Sequence, residues 1–158
     1  MNVMQQAARK ASRRLVRDFG EVENLQVSRK GPSDFVTAAD IRTDEMLRDL
    51  LLQARPDFGF LTEENKEMVG KDGCRRWIID PVDGTINFLH GIPMFAISIA
   101  LEEFGEITAG LVYAPIPDEM FWAERGQGAY LNDRRLRVAA RRQIGDAVIG
   151  TCIPHSGR

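Results

Sequence analysis

Two aspartates, Asp80 and Asp83, stand close together and are followed at once by Gly84 and Thr85. They lie within Trp77-Ile78-Ile79-Asp80-Pro81-Val82-Asp83-Gly84-Thr85-Ile86-Asn87-Phe88-Leu89-His90-Gly91. Trp77 to Ile79 reads as a short buried strand, because aromatic and β-branched side chains suit a packed, pleated surface. Asp80 is expected where that strand ends. Pro81, with its fixed φ and no N–H to donate, is expected to take the chain out of the sheet. Gly84 accepts left-handed backbone angles, and Thr85 is placed to open a short helix through Asn87, Phe88 and Leu89. Two carboxylates would then stand beside a helix N-terminus, whose unpaired N–H groups suit a phosphate.

Asp-Pro-x-Asp-Gly is also ordinary turn chemistry. The chemical reading rests on the company it keeps. Upstream, Gly59-Phe60-Leu61-Thr62-Glu63-Glu64 is another apolar strand ending in paired carboxylates. Further back, Asp34-Phe35-Val36-Thr37-Ala38-Ala39-Asp40 ends in an acid just before a helical pattern. Acidic groups at several strand and loop ends suit a hard cation, since Mg²⁺ prefers oxygen ligands and binds together with substrate phosphate.

The elements that must position these groups follow from periodicity. Met4, Ala8, Ala11, Leu15 and Phe19 recur at helical spacing, which predicts an amphipathic helix ending near Gly20. Lys10, Arg13, Arg14 and Arg17 fill its solvated faces. Leu25 to Val27 reads as a strand, followed by a polar turn in which Lys30 is a solvent-exposed lysine or an attractor of anions. Asp40 is expected to begin a second helix as its N-cap, with Leu47, Leu50, Leu51 and Ala54 buried and Arg55-Pro56 stopping it. Asn65 to Gly73 reads as a polar, glycine-flanked flap or a plain surface loop. Phe95, Ile97, Ile99 and Leu101 alternate with Ala96, Ser98 and Ala100, the pattern of a strand covered on both faces. The turns around Gly105, Pro117 and Gly126 then predict an antiparallel meander, with a last strand over Val148 to Thr151. Arg134, Arg135, Arg137, Arg141 and Arg142 form the densest basic run. It lacks the interleaved aromatic side chains of a nucleic-acid platform, so a solvated edge or a subunit contact is expected.

The chain has 158 residues, 44% of them hydrophobic, which is enough for one domain with a real core. Its 21 basic and 23 acidic residues leave a net charge of −2, so nothing global points to nucleic acid or a membrane surface. Cys74 and Cys152 form no metal or redox spacing, and no long apolar run opens the chain; a cytoplasmic protein is expected.

With these residues in view, the chain resembles the inositol monophosphatases, Mg²⁺-dependent and typically lithium-sensitive phosphomonoesterases. The matching stretches are DFVTAAD (34–40), GFLTEE (59–64) and WIIDPVDGTINFLHGIPMFAISIAL (77–101). The resemblance implies an α+β fold: two helices packed on an antiparallel sheet, the first layers of an αβαβα sandwich. It covers residues 1–158 as the N-terminal part only, and the family's C-terminal α/β portion is expected to be absent from this chain. That portion carries a Trp-Asp-x-Ala-Ala-Gly-like motif, not found here, whose aspartate completes the second metal site.

The resemblance also implies roles. Glu63, Asp80 and the carbonyl of Val82 would hold a first Mg²⁺, and Asp80 with Asp83 would hold a second. Thr85 and Glu63 would orient the attacking water, and Asp40 would hydrogen-bond the Thr85 hydroxyl. Asp83, with the N–H groups of Gly84 and Thr85, would bind the substrate's phosphate; Glu64 would stand behind the ligands. The implied substrate is inositol monophosphate or a similar small phosphate ester; a homodimer is expected because the missing portion would leave apolar surface exposed. The other expected class is a phosphatase-like binding module without catalysis, a subunit or a partner of the transcription machinery.

Overall fold

In the computed structural model, which describes residues 1–25, 32–63 and 67–150, two long helices lead into a continuous sheet. The helices are α1 (Asn2–Leu25) and α2 (Pro32–Ala54). The strands are β1 (Gly59–Thr62), β2 (Arg75–Asp83), β3 (Ala96–Glu103), β4 (Glu106–Ala114), β5 (Glu119–Glu124), β6 (Gly128–Leu131) and β7 (Arg134–Arg135), with the short α3 (Thr85–Leu89) between β2 and β3.

The helix faces follow the apolar periodicity, but their ends do not follow the local signals. α1 buries Met4, Ala8, Ala11 and Leu15, and also Ala7. It runs through Gly20 to Leu25, because Val22 is buried one turn further on. A buried valine contributes about 1.5–3 kcal/mol, more than the roughly 1 kcal/mol that glycine costs a helix. Leu25 is therefore helical and not the start of a strand; Gln26, Val27 and Lys30 lie outside the described residues. α2 begins at Pro32, a residue favoured in a first helical turn, so Asp40 lies inside the helix and is no N-cap. The buried side of α2 is Ala39, Asp40, Thr43, Asp44, Leu47 and Leu51, while the expected Leu50 and Ala54 are only half-buried.

The seven strands lie in sequence order, β1 to β7. Every neighbouring pair from β2 onward is antiparallel, but β1 pairs with β2 in parallel. The sheet is thus mixed at one edge. The reason is the long connection from Glu63 to Cys74, which returns the chain to the same end before β2 starts. From Met68 onward that connection is tied down: Phe60 and Met68 exchange two main-chain hydrogen bonds of 2.8 Å. Gly70 then presses so closely on β1 that a Cβ there would lie 2.4 Å from the nitrogen of Gly59. Asn65 and Lys66 are outside the described residues.

Alternation along the strands decides the two faces. Trp77, Ile79, Phe95, Ile97, Ile99, Leu111 and Met120 are buried against α1 and α2. Phe19, Phe88 and Phe95 meet beneath α3, with ring centroids 4.9–5.5 Å apart. On the other face Ala96, Ser98 and Ala100 are half-buried, Val112 is 40% exposed and Phe121 is 39% exposed. The expected cover on both sides is therefore present on one side among the described residues. Beyond β7 the chain runs exposed; Ile144–Asp146 make one helical turn, and Val148 to Gly150 form no strand. No helix among the described residues is long and apolar enough to cross a membrane.

Candidate functional site

β1 and β2 deliver their acidic ends side by side. In the parallel register Thr62 stands beside Ile79, and the N–H of Glu63 donates to the carbonyl of Ile79 at 3.3 Å. Glu63 follows Thr62 into the next turn, level with Asp80, and is exposed. Asp80 belongs to the strand itself: β2 continues through Pro81 to Asp83, contrary to the expected exit at the proline. The missing proline N–H is accommodated by a break in register between Asp80, paired with Ser98, and Asp83, paired with Ala96. By alternation Asp80 shares a face with Ile78, the one α1 and α2 leave uncovered.

The turn after the bulge is built by local hydrogen bonds. The Asp80 carboxylate accepts the N–H of Val82 at 3.1 Å, which folds the chain back on itself. The Thr85 hydroxyl donates to the carbonyl of Val82 at 3.0 Å. Gly84 adopts φ 91° and ψ 36° at the entry to α3, a conformation that costs other residues about 1–2 kcal/mol. Its carbonyl accepts the N–H of Phe88 at 3.0 Å, and Phe88 anchors α3 in the core. Asp83 and Thr85 are exposed at the mouth of this turn, and Val82 is buried beneath it.

The structure thus brings Glu63, Asp80, Val82, Asp83, Gly84 and Thr85 to one end of the sheet. Asp40 is buried on α2, which packs against both β2 and α3. Glu64 lies outside the described residues. Asp44, fully buried one turn along α2 from Asp40, escaped the sequence reading. The signal was its four-residue spacing from Asp40, which places both acids on one helix face.

In kind, the donors fit a hard divalent cation: three carboxylates and a main-chain carbonyl, all oxygen. Among the described residues no three acidic, histidine or cysteine side chains gather closely enough to hold an ion.

The sequence pattern of the inositol monophosphatase family matches residues 1–158. The chain belongs to that family. A curated relative, the inositol-1-monophosphatase of Rhizobium meliloti (strain 1021), is 60% identical over 158 residues, 100% of this chain and 59% of the relative. A more distant one, the Nus factor SuhB of Pasteurella multocida (strain Pm70), is 39% identical over 154 residues, 98% of this chain and 58% of the relative. Among solved structures, the extragenic suppressor protein suhB from Bartonella henselae superposes with a TM-score of 0.88 at 60% identity, covering 99% of this chain and 61% of that one. This member of the inositol monophosphatase family therefore spans about three fifths of the length of the proteins it matches.

Proposed function

We propose that this chain forms the first metal- and phosphate-binding part of a Mg²⁺-dependent phosphomonoesterase, acting on myo-inositol monophosphate or a similar small sugar or polyol phosphate. The observation that carries the reading is the turn from Asp80 to Thr85, set level with Glu63 by the parallel β1–β2 pair. Glu63, Asp80, Val82 through its carbonyl, and Asp83 would hold Mg²⁺. When bound, the ion neutralises the charge that makes a phosphate ester resist attack, activates water and stabilises the leaving alkoxide. The chain's own groups do the rest. The N–H groups of Gly84 and Thr85 hold phosphate oxygens, Asp83 lines the same pocket, and Glu63 with the Thr85 hydroxyl orients a water. Asp40 supports Thr85 from α2. The same reading makes the protein cytoplasmic, dimeric and lithium-sensitive.

The second reading is a phosphatase-like binding module, without catalysis, that joins the transcription machinery. The relative named Nus factor SuhB favours it, and the exposed Arg134, Arg135, Arg137, Arg141 and Arg142 would be its contact surface.

Thermal melts separate the two. Under the first reading Mg²⁺ with inorganic phosphate raises the melting temperature, by about 3 kcal/mol of stabilisation at a hundredfold excess over the dissociation constant. Asp83→Asn abolishes that shift with the fold intact, and in a full-length enzyme it abolishes phosphate release from inositol 1-phosphate. A wild-type chain that melts unchanged in both ligands favours the binding module.

A further inference from the structure

Asn87 lies on α3, outside the residues given metal or phosphate roles above. Its side-chain amide donates from Nδ2 to the carbonyl of Met94 at 2.7 Å. Its own carbonyl accepts the N–H of Ile92 at 2.8 Å, and the N–H of Met94 donates to Ile92 at 2.8 Å. The loop from His90 to Met94 is thereby folded back on α3. Apolar burial does little to hold it there, since Ile92 is 44% exposed and Met94 is 74% exposed. Polar ties position it.

The same Met94 carbonyl is the surface that Gly84 rests on. A Cβ at Gly84 would lie 3.0 Å from that oxygen and 3.4 Å from the Cα of Phe95. One oxygen is thus gripped by Asn87 on one side and touches the left-handed glycine on the other.

We propose that Asn87 is a positioning residue for the phosphate-binding turn. By fixing the Met94 carbonyl against Gly84, it sets the direction in which the Gly84 and Thr85 N–H groups point. The role rests on the reading that these N–H groups hold phosphate, but the positioning is measurable without ligand.

Asn87→Asp keeps the side chain's shape and replaces the donor with a carboxylate. Asn87→Ala removes the donor without adding charge, and decides the matter if the first variant does not fold. In the ligand-free chain, the NMR amide resonances of Gly84 and Thr85 shift along with those of Ile92 and Met94. The Phe88 amide, bonded to Gly84, exchanges about tenfold faster, the equivalent of one hydrogen bond. In Mg²⁺, inorganic phosphate binds about tenfold more weakly by calorimetry, while the melting shift produced by Mg²⁺ alone is unchanged. Perturbation confined to Ile92 and Met94, with Phe88 exchange as in the wild type, overturns the inference. A wild-type chain that binds no phosphate overturns the function instead, and the Gly84 and Thr85 resonances still decide the positioning.

Discussion

Gly84 concentrates the demands of the site in one residue. Its positive φ lets the chain turn from β2 into α3, and its missing side chain lets the turn lie against Met94. Gly84→Ala meets both obstacles at once. It is expected to destabilise the chain by about 2 kcal/mol, or roughly 5 °C in melting temperature, and to remove the stabilisation by phosphate. An alanine variant that melts with the wild type would show that the turn relaxes without penalty. This much was readable from residue types: an aspartate before glycine marks a turn, and glycine alone takes φ 91° without strain. That the Thr85 hydroxyl reaches the main-chain carbonyl of Val82 was not readable, because every residue carries such a carbonyl and only the fold of the turn selects one.

Between elements, the sheet holds α1 through a polar clamp. Arg9 and the Tyr113 hydroxyl each donate to the same oxygen of Asp118 at 2.8 Å, and the Arg9 guanidinium also lies over the Tyr113 ring. The Tyr113 hydroxyl, followed by Arg9, holds the Asp118 carboxyl below its ordinary range. A depressed acid contributes stability above its ordinary value, and that stability is lost as pH falls through the folded value. Burial first, and Asp118 second, push the Tyr113 phenol upward. Its contribution is therefore fully present below the ordinary tyrosine value and lost as pH rises through the raised folded value. Asp118→Asn should melt below the wild type at neutral pH and converge with it in acid, as measured by melts across the pH range. The gap stays small because Asp118 is largely solvated. A constant gap at all pH values would assign the difference to shape and not to charge.

At the scale of the whole molecule, the described residues cover the sheet on one face and leave the other open. Val112 and Phe121 stand half-exposed on the open face, and the segment after β7 exposes Val138, Ile144, Val148 and Ile149. Apolar surface of this extent favours association. Light scattering of this 17.8 kDa chain is expected to show a concentration-dependent rise in mass. A monodisperse monomer at all concentrations would rule that out. Asp80 projects from this same face, so whatever covers it also borders the site.

The periods of the chain, 3.6 for the helices and 2 for β3, were enough to place α1, α2 and β3, because each depends on which side chains share a face, and the turn residues placed the meander. The motif residues could likewise be named in advance, since oxygen donors and a glycine turn are properties of residue type. Their arrangement came from contacts distant along the chain. Val22 reaching the core carried α1 past Gly20, and the return from Glu63 to Cys74 made β1 parallel to β2. The bulge kept Pro81 inside a strand, and the pairing of Thr62 with Ile79 brought Glu63 level with Asp80. Local preferences of about 1 kcal/mol set where an element is allowed to end; burial and cross-strand pairing, worth several times that, set where it does.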